Sequence, residues 1–317
     1  PTRHPFLWYI WFEFTLPNLI NKKINPDLFF SPDGFLSTSI NAPSVNVIHD
    51  INFEHRPQDL AWTHSTYYRY YFKKYAQIAK HIITVSQFSK EDIAHTYNID
   101  IGKISVAYNG VSQHFQPITE DEKKIIKNKF ANDTDFFLFI GSLHKRKNIK
   151  NLLLAFDIYR NHQGNNKLLI IGKKKWWDKE TQAIYTEMKF KKEVIFLGQV
   201  DDHNMSLILA SSKALCFVSL FEGFGLPIVE AMKSGVPVIT SNTSSMPEIA
   251  KDAALIVDPQ DFHAISKLML QVDKDTYLRD KLINLGLERS NQFNWDCTAK
   301  KISNVLLNIK LNDTISI

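Results

Sequence analysis

The sequence predicts an α/β protein of two domains, each built around a parallel sheet. Three observations carry this expectation. Short β-branched or apolar runs alternate with helical patterns, a length of 317 residues at 44% hydrophobic content leaves room for two cores, and the composition shifts after NGV at 109–111. Strands separated by helices need right-handed crossovers and therefore lie parallel.

The first domain reads from VNVIHDI (45–51), HIITVS (81–86) and ISVAYNG (104–110) as strands. Between the first two, YYRYYFKKY (67–75) reads as a helix packing one face on the sheet, with acceptor or membrane contact as the alternative. SKED (89–92) fits a capping box, with Ser89 as cap and Asp92 reaching back. A proline and a charged helix follow in FQPITEDEKKIIKNKF (115–130), which places the linker near Pro117 and gives domains 1–117 and 118–292. The second domain contributes FFLFIGS (136–142), KLLIIG (167–172), VIFLGQV (194–200), ALCFVSL (214–220), PVITSN (237–242) and ALIVDP (254–259). The tail at 293–317 carries Ile302, Val305, Leu306 and Ile309 at helical spacing and is expected to pack on a domain surface, crossing back to the first domain. No solenoid repeat or low-complexity segment interrupts the pattern.

Composition narrows the function classes. No apolar run approaches the roughly 20 residues that span a bilayer. Cys216 and Cys297 stand in unlike contexts, giving neither a disulfide framework nor metal-ligand spacing, so a reducing cytoplasm is the expected compartment, with the inner membrane face as a peripheral location. Net charge is +5, from 38 basic and 33 acidic residues, with the basic ones gathered in HKRKNIK (144–150) and GKKKWWDK (172–179). That excess suits an anionic ligand or lipid surface, and no nucleic-acid module is present. The chain opens at Pro1 on PTRHPFLWYIWFEF without the strand and glycine turn that usually begin an α/β domain, so N-terminal sequence is expected to be missing. No signal peptide can be read.

The chemistry concentrates in LFEGFGLPIVEAMKSGVPVI (220–239). Leu220 reads as a strand end and Pro227 as the first helical residue, where its missing N–H has no partner to lose. Gly235 then stops the helix and Pro237 opens the next strand. The loop between strand and helix lies at the carboxyl end of a parallel strand, where open α/β sheets bind ligands. Amides from Gly223 to Leu226, beside a helix N-terminus, suit a phosphate or sugar oxygen. Glu222 sits in the loop and Glu230 one turn into the helix, where its carboxylate suits both hydroxyls of a ribose. GFGLPI has Ile228 where a dinucleotide fingerprint has its third glycine, so no nicotinamide reading follows.

EGFGLPIVEAM resembles the E-x7-E signature of the family 4 retaining glycosyltransferases of GT-B fold. VIHDINF, IITVSQFSKEDI, VAYNGV, FIGSLHKRKNIKNLLLAF, FLGQV and SSMPEIAKDAALIVDP extend the resemblance in the family's order. It implies two Rossmann-like domains facing a cleft, with a nucleotide-diphosphate sugar held by the C-terminal domain and a glycan or lipid-linked glycan acceptor by the N-terminal one. It further implies that Arg146 and Lys147 bind the donor diphosphate and that Gly141 admits the donor at the strand end. By the same likeness Glu222 meets the sugar hydroxyls, and Gly223, Phe224, Gly225 and Leu226 lie beside sugar and phosphate. Glu230 takes the ribose, Val200 meets the base through its backbone, and His49 reaches the transferred sugar. The expected catalytic set is His49, Glu222, Lys147 and Arg146. Neither metal nor cofactor is expected, because fixed cations stabilise the charge that develops on the leaving diphosphate. A same-face displacement, with the leaving phosphate helping to deprotonate the acceptor, is the family's usual proposal. Ser142 stands where many members carry an arginine, and no glycine-rich turn precedes Val45.

Blander readings stand beside these. His49 can be a satisfied core histidine, and Asp50 can cap the turn after it. His144 and His203 read as helix-start residues. DKD at 273–275 reads as surface charge rather than a metal-binding pair. Trp176 and Trp177 read as a loop lid or as packing. The same fold also serves sugar-nucleotide epimerases and phosphorylases, and a non-catalytic glycan-binding subunit is the alternative from another class.

Overall fold

The structure, a computed structural model, describes residues 4–174 and 177–315; Trp176 lies outside them. It divides into two units, Pro1–Asn109 with Asp296–Ile317, and Gly110–Trp295. The division falls ahead of Pro117 for a packing reason. A side chain at Gly110 would meet the Trp295 backbone nitrogen at 2.3 Å. Val111 also donates its N–H to the Phe293 carbonyl at 3.2 Å, so the stretch before Pro117 already belongs to the second unit.

In the first unit, α1 (Pro5–Ile10) and α2 (Leu16–Leu19) alternate with π-helical turns at Trp11–Thr15 and Ile20–Ile24. Four parallel strands follow, β1 (Phe29–Ser31), β2 (Ser44–Val47), β3 (His81–Thr84) and β4 (Ile104–Val106), in the order β1-β2-β3-β4. Between them lie α3 (Asn52–His55), α4 (Trp62–Ile78) and α5 (Gln87–Tyr97). β1 carries too short an apolar run to stand out in the sequence. Ile82 and Ile104 face one side of the sheet, with Phe72, Tyr75 and Ala76 of α4 and Ile93 and Tyr97 of α5. The run at 67–75 therefore packs with Tyr67, Phe72 and Tyr75 buried, leaving Tyr70 exposed. The cap of α5 is Ser86, whose hydroxyl accepts from Ser89 N at 3.0 Å, rather than Ser89 itself. Asp92 instead accepts from His55 Nε2 at 2.7 Å.

The opposite face carries Val45, Val47, Ile83 and Ala107. It is covered by the helix that ends the described chain, Trp295–Ile315, through Ile302, Val305, Leu306 and Ile309. Alternate residues of the strands thus meet residues at helical spacing on the helix. Truncating the buried Ile309 to alanine removes methylenes from this seam. Denaturant unfolding should show a loss of about 2–4 kcal/mol; a change within about 0.5 kcal/mol would mean the helix does not anchor on this face.

The second unit strings α6 (Glu120–Ala131), β5 (Phe136–Ile140), α7 (Ile149–Asn161), β6 (Lys167–Ile171), α8 (Lys179–Glu187), β7 (Val194–Gly198) and α9 (Asp202–Ala210) into one half. The other half holds β8 (Ala214–Phe217), α10 (Leu226–Lys233), β9 (Val238–Ser241), α11 (Met246–Ala250), β10 (Leu255–Val257), α12 (Phe262–Lys274) and α13 (Thr276–Ser290). All pairings are parallel in the order β10-β9-β8-β5-β6-β7. The chain winds outward in one direction from β5 and in the other from β8, so those neighbours flank a topological switch point whose carboxyl ends open a crevice. FFLFI of β5 is buried at every residue, as a central strand covered on both faces must be.

Two boundaries at that crevice differ from the sequence reading. β8 ends at Phe217 rather than Leu220, because Val218 O accepts from Asn148 Nδ2 and Leu220 N donates to Arg146 O, drawing the backbone out of the ladder. α10 begins at Leu226, with Pro227 within its first turn. The DKD stretch is also more than surface charge. Asp273 accepts from Tyr159 and Asn166, both at 2.8 Å, and Asp275 caps α13. Among the described residues no helix is long and apolar enough to cross a membrane.

Candidate active site

The basic side of the crevice starts where β5 stops. Gly141 has φ +151°, and a Cβ there would lie 3.3 Å from the Phe139 ring and 3.5 Å from Lys147 Cε. Its bareness leaves the lysine stem its place. A 3-10 turn, Lys145–Lys147, follows, capped by His144 Nδ1 accepting from Arg146 N at 3.3 Å, a structural role. Asn148 is buried with φ +59°, and its amide donates to Val218 O at 2.9 Å and Pro259 O at 2.7 Å. The turn is thereby tied to the loop after β8.

That loop brings the carboxylate. Arg146 Nη1 donates to Phe221 O at 2.6 Å, and Leu220 N returns a bond to Arg146 O at 2.8 Å. Glu222 then lies between the two cations, Oε2 2.8 Å from Arg146 Nη1 and Oε1 2.7 Å from Lys147 Nζ. The residue is only 7% exposed, and Lys147 Nζ also sits 4.7 Å from the centre of the Phe217 ring. Burial works to raise the Glu222 carboxyl, but Lys147 and Arg146 outweigh it and hold the pKa below the usual carboxylate range. The loop backbone is pinned from the far side. Glu222 N donates to Ser244 Oγ at 3.0 Å, and Ser245 Oγ donates to Glu222 O at 2.9 Å and Phe224 O at 3.0 Å.

Gly223, Phe224 and Gly225 lead into α10, with Gly225 at φ +97° as its N-cap, a conformation side chains resist. Glu230 follows within the helix, half-buried, and its carboxylate makes no hydrogen bond or ion pair among the described residues. Burial, then the nearby charge of Asp202, pushes its carboxyl up to about 7. Asp202 opens α9, and Val200, half-buried, stands just before the Asp201 cap, whose carboxylate accepts from Asn204 N at 3.0 Å. His203 is an exposed residue in the first turn of that helix.

The second unit thus holds Gly141, Arg146, Lys147, Val200, Glu222, Gly223, Phe224, Gly225, Leu226 and Glu230. It joins Arg146, Lys147 and Glu222 by direct contact. His49 belongs to the first unit, exposed just past β2, with Nε2 3.2 Å from Pro32 O; it is not a core histidine. Asp50 accepts from Asn52 N at 2.9 Å and orients that turn. Asn148, Ser244 and Ser245 were not singled out by sequence, although SSMPEI carried the serines. Gly172 was also missed, yet a Cβ there would lie 1.8 Å from Gly141 O. Among the described residues no group of three or more His, Cys, Asp or Glu could hold a metal ion. Two cations and helix-start amides at a switch point suit a diphosphate, and the half-buried Glu230 carboxylate, without a partner among the described residues, suits hydroxyl donors.

Comparison with known proteins identifies the family and the fold. Residues 120–289 match the family of glycosyl transferases group 1, and residues 1–115 match glycosyltransferase family 4. O-antigen chain mannosyltransferase B of Escherichia coli is 30% identical over 283 residues, spanning 87% of this chain and 73% of that protein. O-antigen chain mannosyltransferase RfbU of Salmonella typhimurium is 28% identical over 257 residues, 81% and 68% of the two chains. Anabaena HepE, solved in complex with UDP and glucose, superposes with a TM-score of 0.78 at 18% identity, covering 91% of this chain and 80% of its own. The shared architecture is GT-B.

Proposed function

The chain belongs to the glycosyl transferases group 1 family, and we propose that it moves a hexose-type sugar from a nucleoside-diphosphate sugar to a glycan or lipid-linked glycan, with retention at the anomeric carbon. The observation that carries this reading is the pair Arg146 and Lys147 in direct contact with Glu222 at the switch point. Mannose is the favoured sugar and polysaccharide assembly the favoured setting, in line with the two mannosyltransferase relatives. The reaction belongs in the cytoplasm, at the membrane face where a lipid-linked acceptor is presented.

In this reading Arg146 and Lys147 hold the diphosphate and stabilise the charge that grows as the glycosidic bond breaks. Glu222 orients the sugar hydroxyls and Glu230 the ribose. Val200 offers backbone to the base. The acceptor enters on the face the diphosphate leaves, and the departing phosphate oxygen takes its proton, so no protein nucleophile is required.

Incubation with a nucleoside-diphosphate hexose and a glycan acceptor tests this, with the product linkage read by NMR. The donor's anomeric configuration is expected to persist, and excess EDTA should leave the rate unchanged because protein cations neutralise the diphosphate. Inversion would remove the same-face mechanism. A rate abolished by EDTA and restored by a divalent ion would overturn the metal-free reading.

A further inference from the structure

We infer that Glu222 is a displaceable counter-anion: in the empty site it occupies the two diphosphate cations, and it yields them only when a ligand brings both phosphate charge and sugar hydroxyls. This rests on the donor reading above. Its carboxylate spans Arg146 Nη1 at 2.8 Å and Lys147 Nζ at 2.7 Å, in a position 7% exposed. Two half-buried cations on one carboxylate would repel each other and stay partly desolvated without it, so the glutamate holds them in place.

Charge balance then decides what happens on binding. A nucleoside-diphosphate sugar carries two negative charges on its bridging diphosphate. With Glu222 still on the cations the buried cluster would hold three negative charges against two positive; with Glu222 swung away it is neutral. The backbone has no need to move, since Ser244 and Ser245 fix Glu222 N, Glu222 O and Phe224 O, and Arg146 fixes Phe221 O. Rotation of one side chain suffices. The released carboxylate needs new donors, and the hydroxyls of the donor sugar supply them.

The consequence is a discrimination that a fixed sugar-binding glutamate would not give. A sugar nucleotide compensates the displaced carboxylate, whereas a nucleoside diphosphate without sugar displaces it and leaves it without partners. The site therefore holds the substrate and releases the product. Neutralising Glu222 removes the competition for the cations, so a residue in the binding machinery limits the affinity of one of its own ligands.

The test is calorimetric titration of the wild-type chain and Glu222→Gln with a nucleoside diphosphate and with the matching nucleoside-diphosphate sugar. The expected result is about tenfold tighter binding of the nucleoside diphosphate in the variant, with weaker binding of the sugar nucleotide. Thermal unfolding checks that the variant is folded; if it is not, Glu222→Asp, which keeps the charge on a shorter arm, should show the same opposed shifts at smaller size. Weakening of both ligands together, or an unchanged nucleoside diphosphate, would overturn the counter-anion role while leaving the donor site standing. Binding of neither ligand by the wild-type chain would overturn the donor reading and this inference with it.

Discussion

Lys147→Ala is expected to lower the sugar-transfer rate roughly a thousandfold. The ammonium sits 2.7 Å from Glu222 and 4.7 Å from the Phe217 ring centre, largely withdrawn from water. A cation in such surroundings stabilises a developing diphosphate charge far more than an exposed lysine does, and a thousandfold corresponds to about 4 kcal/mol of transition-state stabilisation. The fold should survive, because Arg146 still pairs with Glu222 at 2.8 Å and prevents an uncompensated buried carboxylate. A stability loss of about 1–3 kcal/mol is expected for the vacated partner. Steady-state turnover, with circular dichroism as the check on folding, measures both. Turnover within about twofold of wild type would remove Lys147 from the diphosphate site.

The second large effect is a pH dependence carried by Glu230. Burial and then Asp202 raise its carboxyl from 4.5 to about 7. Ribose hydroxyls donate to the ionised form, so below about 7 binding must first remove a proton. Affinity for the sugar nucleotide should then fall with decreasing pH through that window, approaching tenfold per unit. The donor's diphosphate keeps its charge over the same range and contributes no slope of its own. Glu230→Gln should bind more weakly at pH 8 and show little slope. Stability follows the opposite sense. A folded-state pKa above the unfolded one gives stability that is complete below 4.5 and lost as pH rises through about 7. The glutamine variant should therefore unfold at a higher temperature than wild type at pH 8. A wild-type affinity flat from pH 5.5 to 8.5 would exclude an ionising Glu230 from the donor contacts.

Much of the site was legible because its parts are local. Proline and glycine punctuation in EGFGLPIVEAM placed Glu222 in a loop and Glu230 in a helix, since a proline near a helix start and a glycine in the left-handed region are backbone requirements written into single residues. The strand runs were legible for the same reason: β5 is apolar at every residue because it is central. Contacts between remote segments were not. Nothing in HKRKN states that its two cations close on Glu222, or that Asn148 bonds Val218 and Pro259, because these depend on β5 and β8 lying side by side. The misplaced end of β8 has this origin too, since Leu220 leaves the ladder for a bond to Arg146. At α5 the cap moved from the expected Ser89 to Ser86, whose extended backbone leads into the helix and whose hydroxyl accepts from Ser89 N.

The central claim is that Arg146, Lys147, Glu222 and Glu230 form one binding site for a nucleoside-diphosphate sugar. Calorimetric titration of the wild-type chain with UDP-, GDP- and ADP-sugars at pH 8, repeated with Glu230→Ala, tests it most directly. The account predicts that one nucleotide class binds and that its affinity drops at least tenfold in the variant, as the loss of a half-buried charged hydrogen-bond acceptor requires. Binding that is undiminished in Glu230→Ala, or no binding of any sugar nucleotide to the wild-type chain, would contradict it.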